Sequence, residues 1–161
     1  MKKHPSEQLA LHLYRVNRKL QYLMSIHLKP YDITPEQWNV LKHVQETNGV
    51  SQKDLSVMAD KDKTSITRTL DSLERRGAVR RQVNPEDRRS FLVFLTEEGM
   101  GLIERLQPIP DKVNRLVSRD LSGEELAVFR QTLTLLQSRI EAETAGTDSV
   151  AGGSPDSRLD G

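Results

Sequence analysis

SQKDLSVMADKDKTSITRTLDSLERRGAVRRQVNPEDRRSFLVFLT, residues Ser51 to Thr96, is the stretch whose reading decides the fold. Ser51-Gln52-Lys53-Asp54 opens a short helix expected to pack through Leu55 and Met58. Ala59-Asp60-Lys61 predicts a tight connection, and Asp62 can cap the next helix. That helix has its core stripe at Ile66, Leu70 and Leu73, and Gly77 ends it. Ala78 to Val83 and Phe91 to Leu95 are short β-prone runs. Asn84-Pro85-Glu86-Asp87 between them is turn chemistry, so the pair predicts a hairpin with a long tip.

The outward face of the second helix carries the functional signal. At about 100° per residue, Thr64, Arg68, Asp71 and Arg75 point away from Ile66, with Ser65 and Thr67 on the flanks and Lys63 in the first turn. Serine and threonine can bond base edges or phosphates, and arginine can grip guanine through two bonds. The positive end of the helix favours phosphate as well. Ser51 and Gln52 open the preceding helix, which in a helix-turn-helix crosses the backbone; their hydroxyl and amide suit phosphate, and Ser51 can also cap. Arg88 and Arg89 lie just past the hairpin tip, where an arginine can enter a narrow minor groove. Asp87 repels phosphate by itself, so its expected role is to pin a neighbouring guanidinium in a fork-shaped ion pair. Each piece is shared with ordinary solvated surfaces. Their order, two short helices and then a basic hairpin, predicts a winged helix-turn-helix that binds double-stranded DNA.

Working outward, Leu9, Leu13, Val16, Leu20 and Leu23 form one stripe on a long helix ending near Pro30. Thr34, Pro35 and Gln37 predict a capping box opening a helix buried through Trp38, Leu41 and Val44 and ended by Asn48-Gly49. After Thr96, a further helix has its stripe at Leu102, Leu106, Ile109, Val113 and Leu116, with Pro108 and Pro110 expected to kink or break it. Ser122 to Glu125 is a second capping box, opening a helix with Leu126, Phe129, Leu133, Leu136 and Ile140 in line. The expected organisation is an N-terminal dimerisation helix over 1–33, a DNA-binding domain over 34–96, C-terminal dimerisation helices over 97–143 and a disordered tail over 144–161. The fold class is mainly α with a small β-hairpin wing (α+β). A winged core does not need such long striped flanking helices, so pairing with a second copy in a two-fold homodimer is the economical way to bury them. Folding back on the same chain is the alternative, because three-four spacing does not tell self from partner.

Composition agrees. The chain has 161 residues, 29% charged but only 4% aromatic, so its core must be built from Leu, Ile and Val. Net charge is +1, yet Lys61 to Ser90 holds nine basic residues against five acidic. A basic stripe on a near-neutral protein is the footprint of phosphate contact. There is no cysteine, which excludes disulfides, thiolate metal sites and thiol redox switches. The N-terminal sequence does not read as a signal peptide, and no apolar run reaches the ~20 residues of a membrane helix. A soluble, cytoplasmic protein is expected.

Ser51-Gln52-x-Asp54-Leu55, Asp62 to Arg68, Leu73-Glu74-Arg75-Arg76-Gly77, Pro85 to Ser90 and Leu95 to Gly99 together resemble the MarR family of bacterial transcriptional regulators, as does Ile33 to Trp38. The resemblance runs from about Leu9 to Ile140. It implies a homodimer with interlocked outer helices on a pseudo-palindromic operator, most often a repressor. It puts Thr64, Ser65, Thr67 and Arg68 on the recognition helix, Arg89 at the wing tip and Asp87 as the supporting carboxylate. It also implies release of DNA by a small aromatic or anionic effector. Tyr14, Arg18, Tyr22 and Trp38 are the candidate effector contacts, with core packing the competing role for Trp38 and Tyr22. The family's cysteine-based peroxide sensors are excluded by composition, and the Gly- and Asp-rich tail departs from the family pattern.

His4, His12, His27 and His43 share no metal-ligand spacing, so neither a metal nor another cofactor is expected. No nucleophile stands beside a histidine and a carboxylate in a readable way, and no enzyme activity is expected. The competing function is a winged-helix protein-interaction module without DNA contact. Steep salt dependence of duplex binding separates the two.

Overall fold

The computed structural model describes residues 8–151. Seven helices and three strands follow one another as α1 (Leu9–Leu28), a 3₁₀ turn (Lys29–Tyr31), α2 (Pro35–Glu46), β1 (Val50–Ser51), α3 (Gln52–Met58), α4 (Lys63–Arg75), β2 (Val79–Val83), β3 (Phe91–Leu95), α5 (Glu97–Leu106), α6 (Pro108–Ser118) and α7 (Gly123–Ala151). The mainly α architecture with a small antiparallel sheet agrees with the sequence reading. β1 does not: two residues, Val50 and Ser51, pair with Val93 and Leu92, making a sheet of order β1-β3-β2 where only a hairpin was expected.

Local chemistry sets the helix starts. Thr34 Oγ1 accepts from the Gln37 N–H at 3.1 Å while Gln37 Oε1 accepts from the Thr34 N–H at 2.9 Å, a complete capping box with Pro35 in the first turn. Ser122 and Glu125 repeat it at the start of α7. Gly77, at φ 74°, turns the chain out of α4, and the Ala78 N–H donates to the Leu73 carbonyl across the turn. Thr96 clasps that turn by donating its hydroxyl to the Gly77 carbonyl and its N–H to the Ala78 carbonyl. A Cβ at Gly99 would strike the Ala78 carbonyl oxygen, so glycine lets α5 lie against the start of β2.

One apolar cluster joins Leu28, Ile33, Trp38, Leu41 and Val44 to Leu55, Ile66, Leu70 and Leu73, to Val50, Val79 and Val93 of the sheet, and to Leu102, Ile103 and Leu106 of α5. The described chain falls into two compact units, one ending at Arg115 and the other starting at Leu116. α5 gives its apolar face, Leu102, Ile103 and Leu106, to the winged-helix core. Met58, expected in that core, is 37% exposed: a seven-residue helix offers one inward position, which Leu55 takes. Pro108 breaks the expected long helix, so α5 ends at Leu106 and α6 starts afresh.

The N-terminal stripe behaves differently. None of Leu9, Leu13, Val16, Leu20 and Leu23 is fully buried, and the only buried residue of α1 is Leu28. In α7, Phe129, Leu133 and Ile140 are exposed. The tail expected from Thr144 is helical through Ala151: no proline intervenes, and the Thr144 hydroxyl donates to the Ile140 carbonyl at 3.1 Å. The rest of that tail, 152–161, lies outside the described residues, as does His4.

Candidate nucleic-acid interface

The interface is built from α3, α4 and the loop joining β2 to β3. α3 is capped by Ser51, whose Oγ accepts from the Asp54 N–H at 3.0 Å and donates to Asp54 Oδ2 at 2.7 Å. Asp62 caps α4 by accepting from the Ser65 N–H at 2.9 Å and from the Ser65 hydroxyl at 2.8 Å. These bonds, the backbone one foremost, hold the Asp62 carboxyl below its usual value. Between the helices, Gln52 Nε2 donates to Thr67 Oγ1 at 2.8 Å, and that hydroxyl donates to the Lys63 carbonyl at 2.8 Å.

These bonds sort the candidates. The Ser51 hydroxyl and the Ser65 hydroxyl are spent on the caps of their own helices, while the Gln52 amide nitrogen and the Thr67 hydroxyl tie α3 to α4. Thr64, Lys63 and Arg68 are exposed, with no hydrogen bond or ion pair from their side chains among the described residues. Arg75 is exposed and makes only a 3.3 Å bond to the Asp71 carbonyl of its own helix.

The same sorting applies to the nine basic residues of the central stretch. Lys61 pairs with Glu36 at 2.9 Å. Arg76 donates to the Tyr31 and Asp32 carbonyls at 3.1 and 2.5 Å and pairs with Asp32. Arg80 stacks over the Phe94 ring, 4.5 Å from its centre. Arg81 reaches Asp71 at 2.6 Å and Glu74 at 2.7 Å. Lys63, Arg68, Arg75, Arg88 and Arg89 remain, neither paired with a carboxylate nor stacked on a ring among the described residues. All five are exposed, three on α4 and two on the wing.

In the wing, Asp87 does not form the ion pair expected of it. Its Oδ1 accepts the Arg89 backbone N–H at 3.1 Å, and its carbonyl accepts the N–H and hydroxyl of Ser90 at 2.9 and 3.0 Å. An aspartate bonding an N–H two residues on is local turn chemistry, and here it engages Oδ1 with backbone rather than with a guanidinium. Asp87 therefore shapes the loop and leaves the Arg88 and Arg89 side chains out. A cleft of about 690 Å³ lies between the wing and the helices, with Lys63 and Thr67 on one wall and Asp87 and Arg89 on the other.

The expected effector contacts separate. Arg18 lies 5.9 Å from the Tyr14 ring centre, and Tyr22 is exposed rather than packed in the core, because α1 has its one buried position at Leu28. Trp38 is a core residue, leaving Lys42 over its ring at 5.7 Å. Missed from the sequence was the pairing of Arg81; the signal was there in Asp71 and Glu74, three apart on α4 and facing the strand that follows a three-residue turn. Among the described residues no group of three His, Asp or Glu could hold a metal ion, and no helix is long and apolar enough to cross a membrane.

Known proteins share this arrangement. The MarR family model matches residues 31–90. The multiple antibiotic resistance protein MarR of Salmonella typhimurium is 30% identical over 122 residues, covering 75% of this chain and 85% of that protein. The transcriptional regulator HosA of Escherichia coli O111:H- is 35% identical over 100 residues, covering 62% and 74%. Among solved structures, a mutant MarR from E. coli complexed with operator DNA superposes with a TM-score of 0.75 at 28% identity, covering 84% of this chain and 99% of that one. A MarR protein from Peptoclostridium difficile shares the fold at TM-score 0.80 and 19% identity, covering 89% and 94%.

Proposed function

The chain belongs to the MarR family, and on that premise we propose that it is a sequence-specific, DNA-binding transcriptional regulator, acting as a homodimer and an effector-responsive repressor in the cytoplasm. The observation that carries this is the sorting of charge. Four of nine central basic residues are consumed by the scaffold, and the five left over sit on the recognition helix and wing. Lys63, Arg88 and Arg89 contact phosphate or the minor groove in this reading, while Arg68 and Thr64 read base edges. Ser51, Gln52, Ser65, Thr67 and Asp87 hold the readers in place, and Arg75 faces the flanking backbone.

The homodimer is supported by the apolar residues of α1 and α7 that stay exposed in a single chain. A two-fold pair sets two readers about one helical turn apart, ~34–36 Å on B-form DNA. A regulatory rather than catalytic role is supported by the relatives, one of which is named a transcriptional regulator. The effector-responsive part rests on Tyr14, Arg18 and Tyr22, an exposed aromatic and cationic set suited to a small aromatic anion. To move the protein from mostly bound to mostly released, such a molecule must favour the released state by about 5.5 kcal/mol.

Selection of bound sequences from random duplex by the purified protein tests the reading. The expected product is an inverted repeat with half-sites one helical turn apart, less enriched when aromatic acids are present. A selected pool no different from the starting pool overturns sequence-specific binding.

A further inference from the structure

We propose that Arg81 is a positioning residue that fixes the wing against the recognition helix, so that Arg89 contributes to DNA binding only while Arg81 is in place. The inference rests on the DNA-reading function above and assigns a role to a residue that faces α4 rather than solvent.

β2 is an edge strand, paired on one side only, with β3. The backbone N–H of Arg81 points away from β3 and is taken by Glu74 Oε1 at 3.0 Å. The side chain doubles that link. Arg81 Nε and one terminal nitrogen donate to Glu74 Oε2 at 3.1 and 2.7 Å, and the terminal nitrogen also donates to Asp71 Oδ1 at 2.6 Å. A planar guanidinium bonding two carboxylates one helical turn apart fixes direction as well as distance, which a lysine cannot do. With its side chain 19% exposed, Arg81 is the most sheltered cation of the ion pairs here. The strand runs only two residues further, to Val83 opposite Phe91, before the loop that presents Arg88 and Arg89. Hence the angle at which β2 leaves α4 sets where Arg89 stands relative to Arg68, three residues before Asp71.

A second effect of the same contact is to offset one of the two negative charges that Asp71 and Glu74 bring to the α4 side of the reading surface. Losing that compensation weakens DNA binding whatever the wing does, so its effect adds to that of losing Arg89. Positioning does not add. The test is a double-mutant cycle on a duplex bound by the wild type, using Arg81→Met, Arg89→Ala and the double variant of the full chain. Arg89→Ala is expected to weaken wild-type binding about tenfold, within the range for a groove-reading arginine. In the Arg81→Met background the same change is expected to cost less than about twofold. Hydroxyl-radical footprints should show the outer minor-groove protection lost in Arg81→Met and the major-groove contacts kept. Equal losses in both backgrounds overturn the positioning role while leaving the DNA-reading function intact. No loss from Arg89→Ala in the wild type overturns the wing contact itself, and the positioning role with it. If Arg81→Met fails to fold, Glu74→Gln replaces it in the cycle: it keeps an acceptor for the Arg81 N–H but removes one carboxylate, and non-additivity of smaller size is expected. Additivity there overturns the proposal equally.

Discussion

Two apolar stripes in this molecule look alike in sequence and end differently. Ile66, Leu70 and Leu73 on α4 are at most 1% exposed, whereas Phe129 and Ile140 on α7, at equivalent three-four spacing, are 52% and 59% exposed. Periodicity declares that a helix has an apolar side, but not what covers it. The α4 stripe meets α2, α3 and β2 of its own chain, and the opposite face is left to cations. Among the described residues of one chain the α7 stripe has no such cover, and a second copy is the occupant proposed for it.

The comparison can be broken first at its buried side. Leu70→Ala should cost about 2–5 kcal/mol of stability, the range for a fully buried leucine, read as a lower midpoint in denaturant. A shift within error would mean the α4 stripe is not the core. The exposed side predicts the opposite pattern. Leu133→Asp should leave helical content nearly unchanged but split the dimer, losing about 1.5–3 kcal/mol per chain from a side chain buried only on association. Sedimentation of an unchanged mass would place the dimer contact elsewhere. On the reader face, Arg68→Ala should weaken operator binding by about 1–3 kcal/mol and relax preference at one base position, without changing mass or melting. Unaltered preference would remove Arg68 from the base contacts.

The smallest expected effect sharpens the link between helix and wing. The hydrogen bond from the Arg81 side chain, foremost, holds the Glu74 carboxyl below its ordinary value. A lowered folded-state value means the stabilisation is fully present above the unfolded carboxylate value, ~4.3, and is lost as pH falls through the folded one. Glu74 is only half-buried, so solvent screening keeps the effect modest. Glu74→Gln should therefore lower the melting temperature slightly at neutral pH and leave it unchanged in acid, so that the acid-induced drop is smaller. Superimposable pH profiles would show that the pair adds nothing.

What could be read from the sequence was whatever neighbours decide. The caps at Thr34, Ser51, Asp62 and Ser122 each need only residues within three positions, and all four form. The turn at Gly77 is equally local. The two-residue strand β1 was not legible, since its hydrogen bonds come from β3, some forty residues on. The fate of each cation was hidden for the same reason. Arg76 finds backbone carbonyls at Tyr31 and Asp32, and Arg81 finds α4, only after the turns bring them close. Asp87 went the other way. An ion pair with a neighbouring guanidinium was expected, and the Arg89 backbone N–H took Oδ1 instead.

The most direct measurement is the salt dependence of duplex binding by the intact protein. If the five cations left unpaired by the scaffold meet phosphates, log K should fall linearly with log salt, by about 0.9 for each phosphate neutralised, and Arg88→Ala with Arg89→Ala should make the line visibly shallower. A flat line, or no attraction to duplex in dilute salt, would contradict the account and leave the winged helix a module for contacts with other proteins.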